Sequence, residues 1–248
     1  MDAYFPSSDF DESQFDGSSP EVRELGRIVW ELDKIYASRP KIDRQEPRRW
    51  LGDVLQGIIA SSEKSKALIE MLEGAEYFVG GDEHHIIRVD SEPDRIYKFT
   101  HGDNFGCRSY FSPHNVDLLG HFHGETNDDP VFYLFRWMIL NAIGDFQTRF
   151  EGFVPPERPG WLPRICISQP ALPVVNPTVP EIRKSLAQFG FVEVCENAYF
   201  DPATGLLLTD AAPRNVRVSN GIPIPFDAIA QIPEGRLLEW CLKRSQRP

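Results

Sequence analysis

The stretch Leu206-Leu-Leu-Thr-Asp-Ala-Ala-Pro-Arg-Asn-Val216 decides how this chain is read. Its apolar start predicts a buried strand over 205–209. The strand runs into Asp210, Pro213, Asn215 and Val216, in the pattern D-x-x-P-x-N-V. Ser219-Asn220-Gly221 then predicts a tight hairpin between strands over 216–218 and 222–226. Asp227 follows directly. An Asp and an Asn therefore share a loop, and the hairpin returns a second Asp to the same end of the sheet.

Phosphoryl transfer asks for such an arrangement. One carboxylate positions the attacking hydroxyl, while a side-chain amide and a second carboxylate hold Mg²⁺ against triphosphate oxygens. On this reading Asp210 is the catalytic carboxylate, and Asn215 and Asp227 are the metal ligands. Upstream, the segment 95–100 predicts a strand, and alternation puts Ile96 and Lys98 on one of its faces. Ile96 offers an apolar seat for an adenine, and Lys98 an ammonium for the α- and β-phosphates. Gly80-Gly81, one strand earlier, allows backbone N–H groups to approach phosphate.

The order of glycine turn, strand lysine, Asp-x₄-Asn, hairpin and Asp resembles the protein-kinase-like superfamily. More narrowly, three segments look like the kinase-like domains of polyvalent proteins from phages and mobile elements. They are Tyr97-Lys-Phe-Thr-His-Gly-Asp-Asn-Phe-Gly106, Ile167-Ser-Gln-Pro170 and Leu208-Thr-Asp-Ala-Ala-Pro-Arg-Asn215. Pro225-Phe-Asp-Ala-Ile-Ala230 fits as well. The resemblance spans about 76–230 and implies ATP and Mg²⁺ as cofactors. It matches Asp210 and Asn215 to the catalytic-loop pair, Asp227 to the metal-binding Asp and Lys98 to the phosphate-clamping lysine. It puts Gln169 in the connection whose backbone faces the adenine, with the nucleotide between two lobes.

The chain also departs from that pattern. Leu208 stands where kinases carry His, and Ala212 where many carry Lys; Arg214 is the candidate for the missing phosphate contact. The turn at Gly80-Gly81 is not G-x-G-x-x-G, and Asp227 is followed by Ala228-Ile229 rather than Phe-Gly. The apolar helix expected over 128–144 holds no Glu to pair with Lys98, which leaves Glu125 as a guess. The short stretch after Asp227 has no room for a large peptide-docking lobe.

Around this core, an acidic arm is expected over 1–19 and a helical extension over 20–75. A sheet-rich lobe is expected over 76–168 and a reduced second lobe over 169–248. The fold class is thus α+β, a reduced two-lobed kinase-like fold with an N-terminal helical extension. His84-His85 reads as exposed loop. His101-Gly102-Asp103 also reads as a loop, because Arg108 and not Asn lies five residues beyond Asp103. His121-Phe-His123 has strand spacing for a metal but no third ligand in view.

Composition limits the alternatives. A net charge of −11 argues against affinity for nucleic acid or anionic lipid. The best apolar run, 131–144, is interrupted by Arg136 and is too short to span a bilayer. Four cysteines without CxxC spacing read as reduced thiols of a cytoplasmic protein. The function expected is an ATP- and Mg²⁺-dependent phosphotransferase acting on a hydroxyl of a protein or small molecule. The alternatives are a pseudokinase serving as a protein-interaction module, and nucleotidyl transfer from the same site.

Overall fold

The computed structural model describes residues 13, 16–38, 47–73, 77–79, 84–102, 104–110, 123–126, 129–144, 146–172 and 175–246. The expected acidic arm lies mostly outside them, as do Gly80 and Gly81. In chain order the elements begin with α1 (Pro20–Ala37), α2 (Pro47–Ser61) and α3 (Glu63–Leu72). Strands β1 (Tyr77–Val79), β2 (His84–Ile87), β3 (Arg95–Thr100), β4 (Cys107–Tyr110) and β5 (His123–Thr126) come next. Then follow α4 (Pro130–Gly144), β6 (Arg149–Val154), β7 (Arg164–Pro170) and α5 (Val179–Ala187). The chain closes with β8 (Val192–Cys195), β9 (Ala198–Asp201), β10 (Leu206–Thr209), β11 (Arg217–Ser219), β12 (Ile222–Ile224), β13 (Ile229–Gln231) and α6 (Gly235–Ser245). The class is α+β.

The chain divides into two compact units. The first comprises 1–106, 126–135 and 147–171, and the second 107–125, 136–146 and 172–248. The helical extension therefore does not stand apart from the sheet. The expected boundary at 168/169 moves to 171/172, because β7 continues through Pro170 and pairs with β3 as far as Arg95.

In the first unit a five-stranded sheet runs in the order β1-β2-β3-β7-β6, with each neighbouring pair antiparallel. The helices α1, α2 and α3 all contact β6. Alternation along β3 sends Tyr97 and Phe99 to one face, where they pack with Ile87, Cys166 and Val154 against Leu68 and Leu72 of α3. That apolar burial is the main force fixing α3 on the sheet. Ser62 caps α3 by accepting the Ser65 N–H, and the Ser65 hydroxyl oxygen accepts the Phe153 N–H at 3.2 Å. Lys64 bonds both Glu24 and the Phe150 carbonyl, tying α1 and α3 to the sheet.

His84 departs from its expected place in an exposed loop. It lies opposite Thr100 in the β2–β3 ladder, is buried, and has Nε2 2.7 Å from the Tyr133 hydroxyl. Pairing with β3 draws it inward, and the tyrosine satisfies the ring. His121 falls outside the described residues, and His123 opens β5.

In the second unit a four-stranded sheet runs β13-β10-β9-β8, and the hairpin β11–β12 forms a separate two-stranded sheet. Leu237 and Cys241 of α6 pack on Val194, Phe200 and Leu207. Asn220 and Gly221 have φ of 52° and 80°, the pair of left-handed residues that a tight hairpin turn requires. Gly144 ends α4 against the same hairpin. A Cβ there would lie 2.6 Å from the Pro223 carbonyl oxygen, so only hydrogen fits.

Among the described residues no helix is long and apolar enough to cross a membrane. The four cysteines form no disulfide. Burial pushes the Cys195 and Cys241 thiols up to about 12, which keeps them protonated and inert.

Candidate active site

The loop after β10 is built on a left-handed turn. Asp210 has φ of 51°, a conformation that Asp and Asn tolerate better than most side chains. Ala211 and Ala212 are buried behind it, and the Ala211 N–H donates to the Asn197 carbonyl at 2.9 Å. The N–H groups of Asn215 and Val216 both donate to the Ala212 carbonyl, closing a tight turn around Pro213. Small residues at 211 and 212 let the chain fold this closely onto the sheet.

The Asn215 side chain fastens the turn. Its Nδ2 donates to the Asp210 carbonyl at 2.8 Å and to the Asp210 carboxylate, Oδ2, at 2.7 Å. With the amide nitrogen turned to Asp210, Oδ1 is the end left to act as a ligand. Arg214 Nη2 lies 2.6 Å from Asp210 Oδ1, and both partners keep substantial exposure to water. The Asp227 N–H donates to the Asn215 carbonyl at 3.2 Å, so the second carboxylate joins the same loop through its backbone.

The position of Asp227 is set from beneath by Arg136. This arginine is 1% exposed, within α4. Its Nε donates to the Ala228 carbonyl at 2.8 Å and its Nη2 to the Asp227 carbonyl at 3.0 Å, while the guanidinium stacks on Trp137. Sequence reasoning treated Arg136 only as a break in an apolar run. The signal was there, because a cation inside a helix as apolar as α4 must find buried acceptors.

Electrostatically the two carboxylates work against each other. Partial burial raises the Asp210 carboxyl above the ordinary aspartate range, and the charge of Asp227 adds to the rise. Arg214, the Asn215 hydrogen bond and Arg136 pull it back. A hydroxyl-activating base profits from a raised affinity for protons. The two like charges also form a field that a divalent cation would relieve.

That field, with the Asn215 amide oxygen and the Asp227 carboxylate, fits Mg²⁺, a hard cation that takes few protein oxygens and fills its shell with water and phosphate. Among the described residues no group of three or more His, Cys, Asp and Glu side chains could hold a metal. A site relying on nucleotide phosphates does not need one.

In the first unit, Lys98 sits at the centre of the sheet, between Ile86 of β2 and Ile167 of β7. It is 6% exposed, on the face of β3 opposite Tyr97 and Phe99. Ile96 lies two residues away on the same face, as alternation predicts, with Gln169 as its partner in β7. Gln169 does not fall in a connection. It belongs to the last turn-free stretch of β7, and its buried side chain donates from Nε2 to Thr148 Oγ1 at 3.2 Å. The β6 pairing of β7 ends at Ser168.

The structure thus brings Asp210, Arg214, Asn215 and Asp227 onto one loop system within the second unit, and Ile96, Lys98 and Gln169 onto one patch of the sheet within the first. Glu125 falls in β5. Comparison with family models, with curated proteins and with solved structures finds no match to this chain.

Proposed function

We propose that the chain is an ATP- and Mg²⁺-dependent phosphotransferase of protein-kinase-like type. The observation that carries this reading is the double hold of Asn215 on the carbonyl and carboxylate of Asp210, on the loop to which Asp227 is bonded. Asn215 thus holds one carboxylate through its side chain and the backbone of the residue that carries the other through its carbonyl. Lys98 supports the reading, because kinase lysines of this role lie on the third strand of an antiparallel sheet, as this one does.

In this reading Mg²⁺, when bound, neutralises the triphosphate oxygens and keeps them in line. Asp210 orients the acceptor hydroxyl and takes its proton at a carboxylate oxygen. The hydroxyl oxygen forms the new bond to the γ-phosphorus, the bond from that phosphorus to the β–γ bridging oxygen breaks, and ADP leaves. Asn215 keeps Asp210 from swinging away, Arg136 keeps Asp227 at its height, and Lys98 and Arg214 supply fixed positive charge.

A second reading is a nucleotide-binding module without turnover. Two observations favour it. Both Asp210 oxygens are already engaged, by Arg214 and Asn215, and α4 supplies no Glu for Lys98.

The experiment is calorimetric titration of the full chain with ATP, with and without Mg²⁺. Binding should tighten with Mg²⁺, and Asp227→Ala should remove the Mg²⁺-dependent part while circular dichroism stays native. Unchanged binding in that variant would refute the metal assignment. Mg²⁺-dependent binding without any acceptor phosphorylation would select the second reading.

A further inference from the structure

The second unit also carries a partly open pocket of about 430 Å³, with none of Asp210, Asn215 and Asp227 in its described lining. One wall is the approach to α5, with Leu172, Val175 and Pro177, and the other is the hairpin, with Arg217, Val218 and Ile224. A space of this size and apolar character suits a small organic molecule rather than a folded partner. Val175, three-quarters exposed, leaves an apolar rim in water that an occupant would cover.

Among the described lining residues Arg217 is the cation, and it is held in place. Its Nη1 donates to the Pro213 and Val216 carbonyls, both at 3.1 Å, and its guanidinium lies 4.6 Å from the centre of the Phe226 ring. A cation fixed in this way gives up little freedom when an anion arrives. Among the described lining residues the carboxylate is Glu181, and it is already engaged. It accepts from both the N–H and the hydroxyl of Thr178 at the start of α5, and it is exposed to screening water.

We propose that this cavity binds a small amphipathic acid, an aryl or branched-acyl body between the two walls with its anionic group on Arg217. The proposal does not rest on the phosphotransferase reading.

The test is fluorescence titration of the full chain with 1-anilinonaphthalene-8-sulfonate, beside the uncharged N-phenyl-1-naphthylamine. Thermal melting of each variant checks its fold. The sulfonate should bind saturably at one site. Arg217→Gln should weaken it about tenfold or more while leaving the uncharged probe within about twofold, a difference that a general loosening of the hairpin would not produce. Val175→Trp, which fills the cavity from an exposed position, should weaken both probes. Non-saturable binding, or indifference of both probes to Val175→Trp, would overturn the site. Equal loss of both probes in Arg217→Gln would overturn the anion assignment. ATP with Mg²⁺ should leave the sulfonate probe in place. Its displacement would make the cavity part of the nucleotide site and end the proposal.

Discussion

Arg214 is the residue whose role is easiest to separate from folding, since its guanidinium is mostly in water and pairs with Asp210. It favours the ionised form of a carboxylate whose pKa burial raises. On the proposed reading Asp210 must be ionised to take a proton, so turnover should fall as pH drops through its pKa. Removing Arg214 raises that pKa further. In Arg214→Ala the acid limb of the pH–rate profile should therefore move to higher pH, with the alkaline side unchanged. A limb that moves to lower pH would exclude Asp210 as the base. Lys98 is tested in a different way. Its ammonium is buried on a central strand, where an apolar side chain would pack well. Lys98→Ala should weaken ATP binding or turnover about tenfold or more, and a neutral result would make it an ordinary strand residue. Both residues were legible in the sequence by type and spacing. Arg136 and Asn197 were not, because what they contribute depends on contacts far along the chain.

At the scale of elements, the hairpin β11–β12 was written plainly, since Asn220-Gly221 has few other uses between two apolar runs. Both ends of α4 were also near the expected place, with Asp129 Oδ1 accepting the Val131 and Phe132 N–H groups at its start. Strands β4, β5, β6, β8, β9 and β13 were missed, and for β6, β8 and β9 the reason is physical. A register shift near Gly152, which has φ of 143°, breaks the alternation of β6. Both β8 and β9 are four residues long and joined through Glu196-Asn197, where Asn197 supplies the left-handed turn in place of glycine. The close approach of Gly144 to Pro223 gives the element-scale prediction. Gly144→Ala must push α4 away from the hairpin that carries the approach to Asp227. It should cost about 1–3 kcal/mol in denaturant unfolding and lower Mg²⁺-dependent binding as well. Full stability with unchanged binding would show that the contact is not limiting.

For the whole molecule, chain order alone did not reveal that each of the two units is assembled from three separate segments. Blocks read in chain order cannot express an arrangement in which 107–125 and 136–146 belong with the C-terminal half. The class, the helices and the turn between Asp210 and Asn215 were readable because they are local. The partition was not, because it depends on long-range packing. Stability and activity should pull in opposite directions through Asp210. Its carboxyl has a raised pKa in the folded chain, so the charged form costs stability above that pKa, and the cost disappears below the ordinary aspartate value. Asp210→Asn keeps the left-handed turn accessible. It should melt above the parent chain near neutral pH, with the gap closing as pH falls, while turnover drops by about 10²–10⁴. A variant that melts lower at neutral pH would show that the carboxylate is a net stabiliser.

The left-handed backbone at Asp210 also bears on inheritance. Few side chains sit comfortably at φ of 51°, chiefly Gly, Asn and Asp. In the genetic code, Asn and Gly are each a single transition away from Asp. A lineage that no longer needed the base would therefore be expected to drift to Asn or Gly at this position long before any branched or bulky residue, and would keep its shape while it did so. Loss of the chemistry would then leave almost no trace in the fold, only one changed letter after Thr209.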